Sequence, residues 1–211
     1  MKRKHFFTEN YFDNIDTPDK AYWLGLLLAD GAIVKDCLKY KCKDKELLDK
    51  LQKSLNSDYP CWYDKITKEY MIQIYSKKLV SDLRKLGFIQ KKFNRIRIPK
   101  IEIHLLSHFI RGYFDGDGCF YTQYNRDKSL YPRVEFYSCS EKFLKEMINK
   151  LKFACVQKSG LRQKKNTKCY VLTYNGTNAL KLLNFIYKNS KCHLQRKINK
   201  YQNFLSLIQE R

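Results

Sequence analysis

The chain has 211 residues, of which 44% are hydrophobic and 15% aromatic, with 8 glycines and 4 prolines. This composition excludes collagen-like, low-complexity and disordered proteins, and the length fits one large domain or two of about 100 residues. Lys and Arg number 42 against 21 Asp and Glu, and the formal charge of +21 indicates a polyanionic partner, nucleic acid first of all. The longest apolar run, 21–29, is too short to span a bilayer, and no signal-type region follows the basic start, so we expect an intracellular protein without a membrane segment.

The first part of the chain predicts a helix, two strands, a helix, two strands and a helix. Thr17 followed by Pro18 is typical of a helix start, and the apolar stretch behind it ends at Gly31. Alternating β-branched and aromatic residues predict strands within 33–43 and 61–75. Leucines at helical spacing predict a helix over 45–55 between them, and a further helix covers 77–87.

The second part repeats this order. Segment 23–31, WLGLLLADG, matches 110–118, IRGYFDGDG, at an offset of 87 residues, and 74–88 matches 173–187 at an offset of 99. Helices are predicted over 103–115, 141–152 and 177–188, strands near 118–124, 131–138, 154–162 and 168–174, and a terminal helix over 193–209. We therefore expect an α+β protein of two pseudo-symmetric αββαββα halves, with the first half over 1–90, a linker over 91–101 and the second half over 102–211.

Each repeated segment has a strip of small residues. Gly25 and Ala29 lie four apart on one helix face, and so do Gly112 and Gly116, which predicts that the two helices approach more closely than the usual ~8–10 Å. Glycines 31 and 118 then stand where a left-handed cap is expected.

This packing brings two acidic residues together. About a pseudo-twofold axis, Asp30 meets Asp117 at two helix C-termini, where negative charge is unfavourable unless a cation lies between the carboxylates. Hard oxygen ligands favour Mg²⁺ over zinc. The eight cysteines include no CxxC pair, so a zinc ribbon has no support and we expect reduced thiols.

The doubled motif resembles the paired motifs of the LAGLIDADG homing endonucleases, in their single-chain, two-motif form. The resemblance covers nearly the whole chain and implies a monomer that hydrolyses both strands of duplex DNA at a specific site, using Mg²⁺, with Mn²⁺ as an alternative and Ca²⁺ as a non-cleaving substitute. It also implies a gene carried by an intron or another mobile element.

The resemblance also assigns roles to single residues. The last acidic residue of each motif is the catalytic, metal-binding position, which falls on Asp30 and Asp117, and the metal site includes Ala29 and Gly116. A basic residue follows the last helix of each repeat in this family, and Lys92 and Lys197 stand there. Asp115 has Leu28 as its counterpart in the first motif, so we expect it to have a structural role. Polar residues at the strand-to-helix turns, namely Lys41, Lys43, Ser138 and Ser140, are further candidates.

DNA contacts are expected on the strands. Two four-stranded antiparallel sheets that form a saddle would present every second side chain to the major groove. Arg pairs with guanine and Gln with adenine, and basic side chains contact phosphates. The predicted contact residues are Lys39, Lys41, Lys43, Gln73, Gln123, Arg126, Arg133, Glu135, Gln157, Arg162, Gln163 and Lys164.

Two other functions fit the same features. A DNA-binding regulator that has lost cleavage would use the same fold, although it would have no physical reason to keep two adjacent carboxylates. An RNA maturase would fit the charge of +21 equally well. The pair His104 and His108 lacks a third metal ligand at a suitable spacing, which favours structural histidines.

Overall fold

Within the residues that the structure describes, seven helices and eight strands form two halves with the same order of elements. The structure, a computed structural model, describes residues 4–88, 96–124, 130–153, 156–157 and 159–209. The first half contains α1 (Pro18–Asp30), β1 (Ala32–Val34), β2 (Cys37–Cys42), α2 (Lys45–Ser54), β3 (Cys61–Asp64), β4 (Glu69–Tyr75) and α3 (Lys77–Lys85). The predicted order of elements is confirmed in this half.

The second half follows the same plan and ends with an additional helix. A 3-10 turn, Ile103–Leu105, leads into α4 (Leu106–Asp117), followed by β5 (Gly118–Tyr124), β6 (Leu130–Ser138), α5 (Glu141–Phe153), β7 (Gly160–Gln163), β8 (Tyr170–Asn175), α6 (Thr177–Tyr187) and α7 (Gln195–Gln209). The α+β fold of two αββαββα halves is therefore confirmed. No helix in the described ranges combines the length and apolarity that a membrane crossing requires. The proposed boundaries at 90 and 101 stay a prediction.

Local sequence signals explain where the helices begin. Thr17 has extended backbone, its hydroxyl accepts a hydrogen bond from the N–H of Lys20 at 3.3 Å, and Pro18 occupies the first helical position. Ser76 caps α3 in the same way by accepting from the N–H of Leu79 at 3.1 Å. These side chains satisfy N–H groups that have no partner within the helix.

Each half builds one four-stranded antiparallel sheet, in the order β1-β2-β4-β3 and β5-β6-β8-β7. Lys39 lies opposite Ala32 and Gln73, while Glu135 lies opposite Cys119 and Thr173. Because Gln73 thus corresponds to Thr173, the last strand and helix of the two halves are related by an offset of 100 residues. The offset of 99 expected from the sequence was wrong by one, since matching apolar letters does not determine strand pairing.

Helices α1 and α4 meet along their small residues at the centre of the molecule. A Cβ atom added at Gly25 would lie 2.1 Å from the carbonyl oxygen of Phe109, and one at Gly112 would lie 1.9 Å from that of Tyr22. Both distances are far below van der Waals contact, so the two backbones touch and the predicted close approach is confirmed. The contacts are reciprocal, because Tyr22 and Phe109 are themselves equivalent at the offset of 87.

The glycines after these helices correct one expectation. Gly31 has φ −71° and Gly118 has φ −102°, so neither adopts the left-handed conformation predicted for a cap. Glycine is required there by crowding, because a Cβ at Gly31 would lie 2.6 Å from the carbonyl oxygen of Leu27 and one at Gly118 would lie 2.2 Å from the ring of Phe114. Each strand therefore starts directly from the helix end.

Two further details differ from the expectations. Strand β7 begins at Gly160 rather than near residue 154. A disulfide joins Cys139 to Cys169, contrary to the expected reduced thiols, because Ser138 lies opposite Tyr170 and the next residues of the two strands face each other. Cysteines 37, 42, 61, 119 and 192 are free.

Candidate active site and DNA-facing sheets

The two predicted catalytic carboxylates end the two central helices. Asp30 is the last residue of α1 and is exposed, and Asp117 is the last residue of α4 and is half-buried. A Cβ at Gly116 would meet Cβ of Ala29 at 2.4 Å and Oδ2 of Asp30 at 3.1 Å, so the Asp30 carboxylate lies over the end of the opposite helix. Burial and the charges of Asp117 and Asp30 raise the pKa of Tyr113 above its usual value, which places both carboxylates near this one ring.

A cavity of about 640 Å³ opens beside Asp30. Its lining combines three basic side chains, Lys41, Lys43 and Arg196, with further acidic ones, Asp44 and Glu69. Lys41 lies 3.7 Å from Glu69, and Arg196 lies 3.4 Å from Asp44. The second ion pair links α7 of the second half to the start of α2 in the first half. Asp44, Glu69 and Arg196 were not predicted from the sequence as site residues, although Asp44 stands at a recognisable helix N-cap position.

Lys197, predicted to be catalytic, lies against the backbone at the end of α4. Its ammonium donates to the carbonyl oxygens of Phe114 at 2.5 Å, Gly118 at 2.7 Å and Asp115 at 2.8 Å, and lies 3.5 Å from that of Gly116. Only 9% of Lys197 is exposed, and burial lowers its pKa to about 8. Its catalytic role stays a prediction, as does that of Lys92, which lies outside the described residues.

Asp115, which also borders the cavity beside Asp30, belongs to a buried polar network. It accepts hydrogen bonds from the hydroxyls of Tyr22 at 2.9 Å and Tyr187 at 3.1 Å, and from the N–H of Leu194 at 2.7 Å. Burial raises its pKa to about 6 against these stabilising contacts. Asp115 thus connects α1, α4, α6 and the residue before α7, in keeping with the structural role expected for it.

The open face of the first sheet carries basic and polar side chains. Opposed residues of antiparallel strands share a face, so Lys39 lies on one face with Gln73, and Lys41 with Met71 and Trp62. The other face packs Leu38, Tyr40, Ile72 and Ile74 into the core. The predicted alternation is therefore present, and Lys43 continues it as an exposed residue just beyond β2.

The open face of the second sheet is organised around a buried carboxylate. Glu135 is only 3% exposed, and it accepts from Tyr137 at 2.5 Å and from Thr173 at 3.3 Å, while Nε of Arg133 lies 3.3 Å away. Burial opposes its ionisation, but the bonds from Tyr137 and Tyr121 and the charge of Arg133 outweigh burial and lower the pKa. Glu135, predicted to contact DNA, is covered by these neighbours, and its DNA contact stays a prediction.

The remaining predicted contact residues that the structure describes lie on either face of the second sheet or just outside its strands. Arg162, opposite Val171, and Gln123, opposite Tyr131, lie on the open face of the second sheet. Gln163 lies opposite Tyr170 on the reverse face, and its amide donates to the carbonyl oxygen of Thr167 at 3.0 Å. Gln157 is exposed but precedes β7, and Lys164 follows that strand with its ammonium 5.9 Å from the ring centre of Tyr137. Arg126 lies outside the described residues.

Comparison with known proteins supports the same fold. The model of the LAGLIDADG-like domain matches residues 105–187. This part of the chain is thus similar to a LAGLIDADG-like domain. No curated protein matches the sequence significantly.

Solved structures with the LAGLIDADG fold match the chain over both halves. The homing endonuclease I-LtrWI, bound to its target DNA, superposes with a TM-score of 0.61 at 10% identity, covering 92% of each chain. I-SmaMI, bound to uncleaved DNA in the presence of calcium ions, gives 0.66 at 10% identity, again over 92% of each chain. I-DmoI, in complex with DNA and manganese, gives 0.54 at 17% identity, covering 89% of this chain and 99% of its own. At these identities the likeness establishes the fold, and the resemblance found in the sequence is confirmed.

Proposed function

We propose that this chain is a divalent-metal-dependent endonuclease that cuts both strands of duplex DNA at a specific site. One observation carries the proposal: Asp30 and Asp117 end two helices whose backbones touch, so two acidic residues lie at the same end of this helix contact. The LAGLIDADG fold of both halves supports it, as do the DNA-bound relatives with calcium and manganese.

The residues at the helix ends fit a hard divalent cation such as Mg²⁺. Asp30 and Asp117 offer carboxylate oxygens, while Ala29 and Gly116, which have no donor side chain, can offer only backbone carbonyls. A Cβ at Gly116 would intrude on Asp30 and Ala29, so glycine keeps this space open. Mg²⁺ is commonly held by one or two carboxylates together with waters and substrate phosphates, and two carboxylates at the helix ends fit this kind of coordination. When bound, the metal supplies positive charge that stabilises the transition state of phosphodiester hydrolysis.

The chain itself positions the DNA and the two carboxylates. The contact between α1 and α4 fixes the separation of Asp30 and Asp117, because neither helix can slide without a backbone clash at Gly25 or Gly112. The lysines on the cavity wall, Lys41 and Lys43, bring positive charge next to Asp30, where it favours approach of a phosphate. The two open sheet faces then offer polar and aromatic side chains to the bases.

Cleavage of a randomised duplex library tests the function. Duplexes of ~25 bp, which span roughly two helical turns, are incubated with the full chain and Mg²⁺, and the ends are sequenced. We expect discrete cuts in both strands by the wild type. Asp117→Asn and Asp30→Asn should each abolish double-strand cleavage while sequence-selective DNA binding in Ca²⁺ persists.

The alternatives give different results in the same experiment. Selective binding without cutting in Mg²⁺ or Mn²⁺ would support the DNA-binding regulator, and preference for structured RNA would support the maturase. The role in intron or mobile-element homing is part of the proposal and rests on the LAGLIDADG relatives. The homing role predicts a specific target site. The DNA on either side of the element that carries the gene, joined without the element, should contain the sequence selected from the library.

A further inference from the structure

We propose that Lys197 is a positioning residue that closes the C-terminal end of α4 and thereby holds the backbone on which Asp117 stands. This inference rests on the proposed function for its effect on cleavage, whereas the contact itself can be tested without any cleavage. It gives Lys197 a different role from the catalytic one that the sequence resemblance implies.

The acceptors around Lys197 are backbone carbonyls at the C-terminal end of α4, of which that of Phe114 also accepts from the N–H of Gly118. The last four carbonyls of α4 belong to residues 114–117, and Lys197 contacts the first three of them together with that of Gly118. A cation at this end also offsets the negative pole of the helix dipole. Lys197 therefore provides a side-chain cap at the end of α4, where Gly118 is not in the left-handed conformation that usually provides one.

The number of donors matches the number of close acceptors. An ammonium has three N–H groups, and the three nearest oxygens, those of Phe114, Gly118 and Asp115, lie at 2.5, 2.7 and 2.8 Å. The carbonyl of Gly116, at 3.5 Å, is the most distant of the four. The ammonium is thus fully engaged with backbone, and the Gly116 carbonyl keeps lone-pair capacity for a cation beside Asp117.

Lys197 is buried at the position where its ammonium contacts these carbonyls. Lys197 is 9% exposed, and its ammonium also lies 4.9 Å from the ring centre of Phe114. Moving it away to contact a DNA phosphate would break three short hydrogen bonds to backbone carbonyls, which is costly in a buried site. The same residue ties α7 to α4, so the terminal helix becomes part of the support of the active site.

Hydrogen-bond detection in the wild type tests the contact directly. In ¹⁵N-labelled protein, we expect a slowly exchanging ammonium signal for Lys197, assigned by its loss in Lys197→Arg, with couplings across hydrogen bonds to the carbonyls of Phe114 and Gly118. An ammonium that exchanges as fast as that of the exposed Lys200 would overturn the proposal. This measurement does not require cleavage, so failure of the proposed function would not affect it.

The variants Lys197→Met and Lys200→Met separate positioning from catalysis. Met has a similar length without the charge, and Lys200 is exposed on the same helix and makes a matched control. We expect Lys197→Met to lower the melting temperature by about 5 °C and to speed hydrogen exchange over 114–120. It should also raise at least tenfold the Mg²⁺ concentration for half-maximal cleavage, with under tenfold loss at saturating Mg²⁺.

Three results contradict the proposal. Unchanged stability and exchange together with a hundredfold loss of cleavage at saturating Mg²⁺ would identify a catalytic lysine instead. A Lys197→Met variant indistinguishable from Lys200→Met in every measurement would show that the contact has no role. If Lys197→Met does not fold, the comparison passes to Lys197→Gln, whose amide retains a donor, and unaltered exchange over 114–120 in that variant would count against the proposal.

Discussion

The two central helices share a contact surface but differ in their buried side chains. At the offset of 87 residues, α1 carries Ala21, Leu24 and Leu28 where α4 carries His108, Arg111 and Asp115. Arg111 is 1% exposed, and it donates to the carbonyls of Cys192 at 2.8 Å and Ile186 at 2.8 Å. The additional polar side chains of α4 thus hold the segment that runs from the end of α6 into α7.

This difference shows which features the repeat must keep and which it can change. The glycines must be kept in both helices, because the contact is between backbones and is reciprocal. The rest of each helix differs with its neighbours. Arg111 and Asp115 of α4 hold the segment that leads into the terminal helix α7, and Lys197 of α7 contacts the end of α4. Each of the following changes tests one level of this comparison.

Alanine at either central glycine should have the largest effect. A Cβ at Gly112 would lie 1.9 Å from the carbonyl oxygen of Tyr22 and one at Gly25 would lie 2.1 Å from that of Phe109, and neither backbone atom can move away alone. We expect Gly112→Ala and Gly25→Ala each to lower the free energy of unfolding by at least about 4 kcal/mol, measured by chemical denaturation. Gly160→Ala is the control, since no atom lies within 4 Å of a Cβ there. Near-wild-type stability of either central variant would refute the backbone contact.

Giving α4 the residue of α1 should have the next largest effect. Asp115→Leu removes the acceptor of three buried donors, those of Tyr22, Tyr187 and Leu194. We expect a loss of about 2–4 kcal/mol in the free energy of unfolding, because the donors remain and lose their partner. Apolar replacement of buried ionic groups is sometimes harmless, so unchanged stability would show that the network is dispensable. Hydrogen exchange at the Leu194 amide gives a second, local measurement.

The two sheets extend the comparison to the surface proposed to contact DNA. Lys39 in the first sheet and Glu135 in the second occupy equivalent positions, yet one is a half-buried base and the other a carboxylate that is 3% exposed. Glu135 holds Arg133 and Tyr137 in place, whereas Lys39 stands between Ala32 and Gln73. Under the proposed function, the two halves therefore read different sequences, and the target is not a palindrome.

Substitutions at this equivalent pair should have effects of different kinds. Lys39→Gln should weaken binding of all sequences alike and reduce the slope of log affinity against log salt by about 1. Glu135→Gln should leave that slope unchanged and reduce selectivity at the base pair facing Arg133 by about 1–3 kcal/mol. Selection from the duplex library in Ca²⁺ measures both quantities. An equal and uniform loss from both variants would show that the two positions act alike.

Much of the fold and the two acidic residues could be predicted because they depend on local or repeated patterns. The repeat, the order of elements and the small-residue strips are visible in the sequence itself, and they bring Asp30 and Asp117 together. The burial of Glu135 and the contacts of Lys197 depend on the partners that tertiary packing supplies. No periodicity connects Lys197 with Phe114, or Arg196 with Asp44. Charged residues inside an otherwise apolar helix, such as Arg111 and Asp115 in α4, are the sequence signal that indicates such an anchor.

Lowering the pH should have the smallest effect of the changes considered. It acts through His108 of α4, whose counterpart in α1 is Ala21. Arg111 donates to Nδ1 of His108 at 2.9 Å, and burial together with the charge of Arg111 lowers the histidine pKa to about 4, with Asp19 opposing and His104 adding to the shift. The unfolded chain binds this proton near pH 6.5, so the contribution of His108 to stability should fall as the pH drops from 6.5 to 4, while the raised pKa of Asp115 acts in the opposite direction in the wild type and in His108→Asn alike. His108→Asn retains an acceptor for Arg111 and cannot titrate, so the wild type should lose stability relative to this variant over that range. Burial lowers the pKa of His193 as well, which leaves part of the slope in the variant. Parallel pH profiles of wild type and His108→Asn, measured by thermal unfolding, would show that His108 is not held neutral by Arg111.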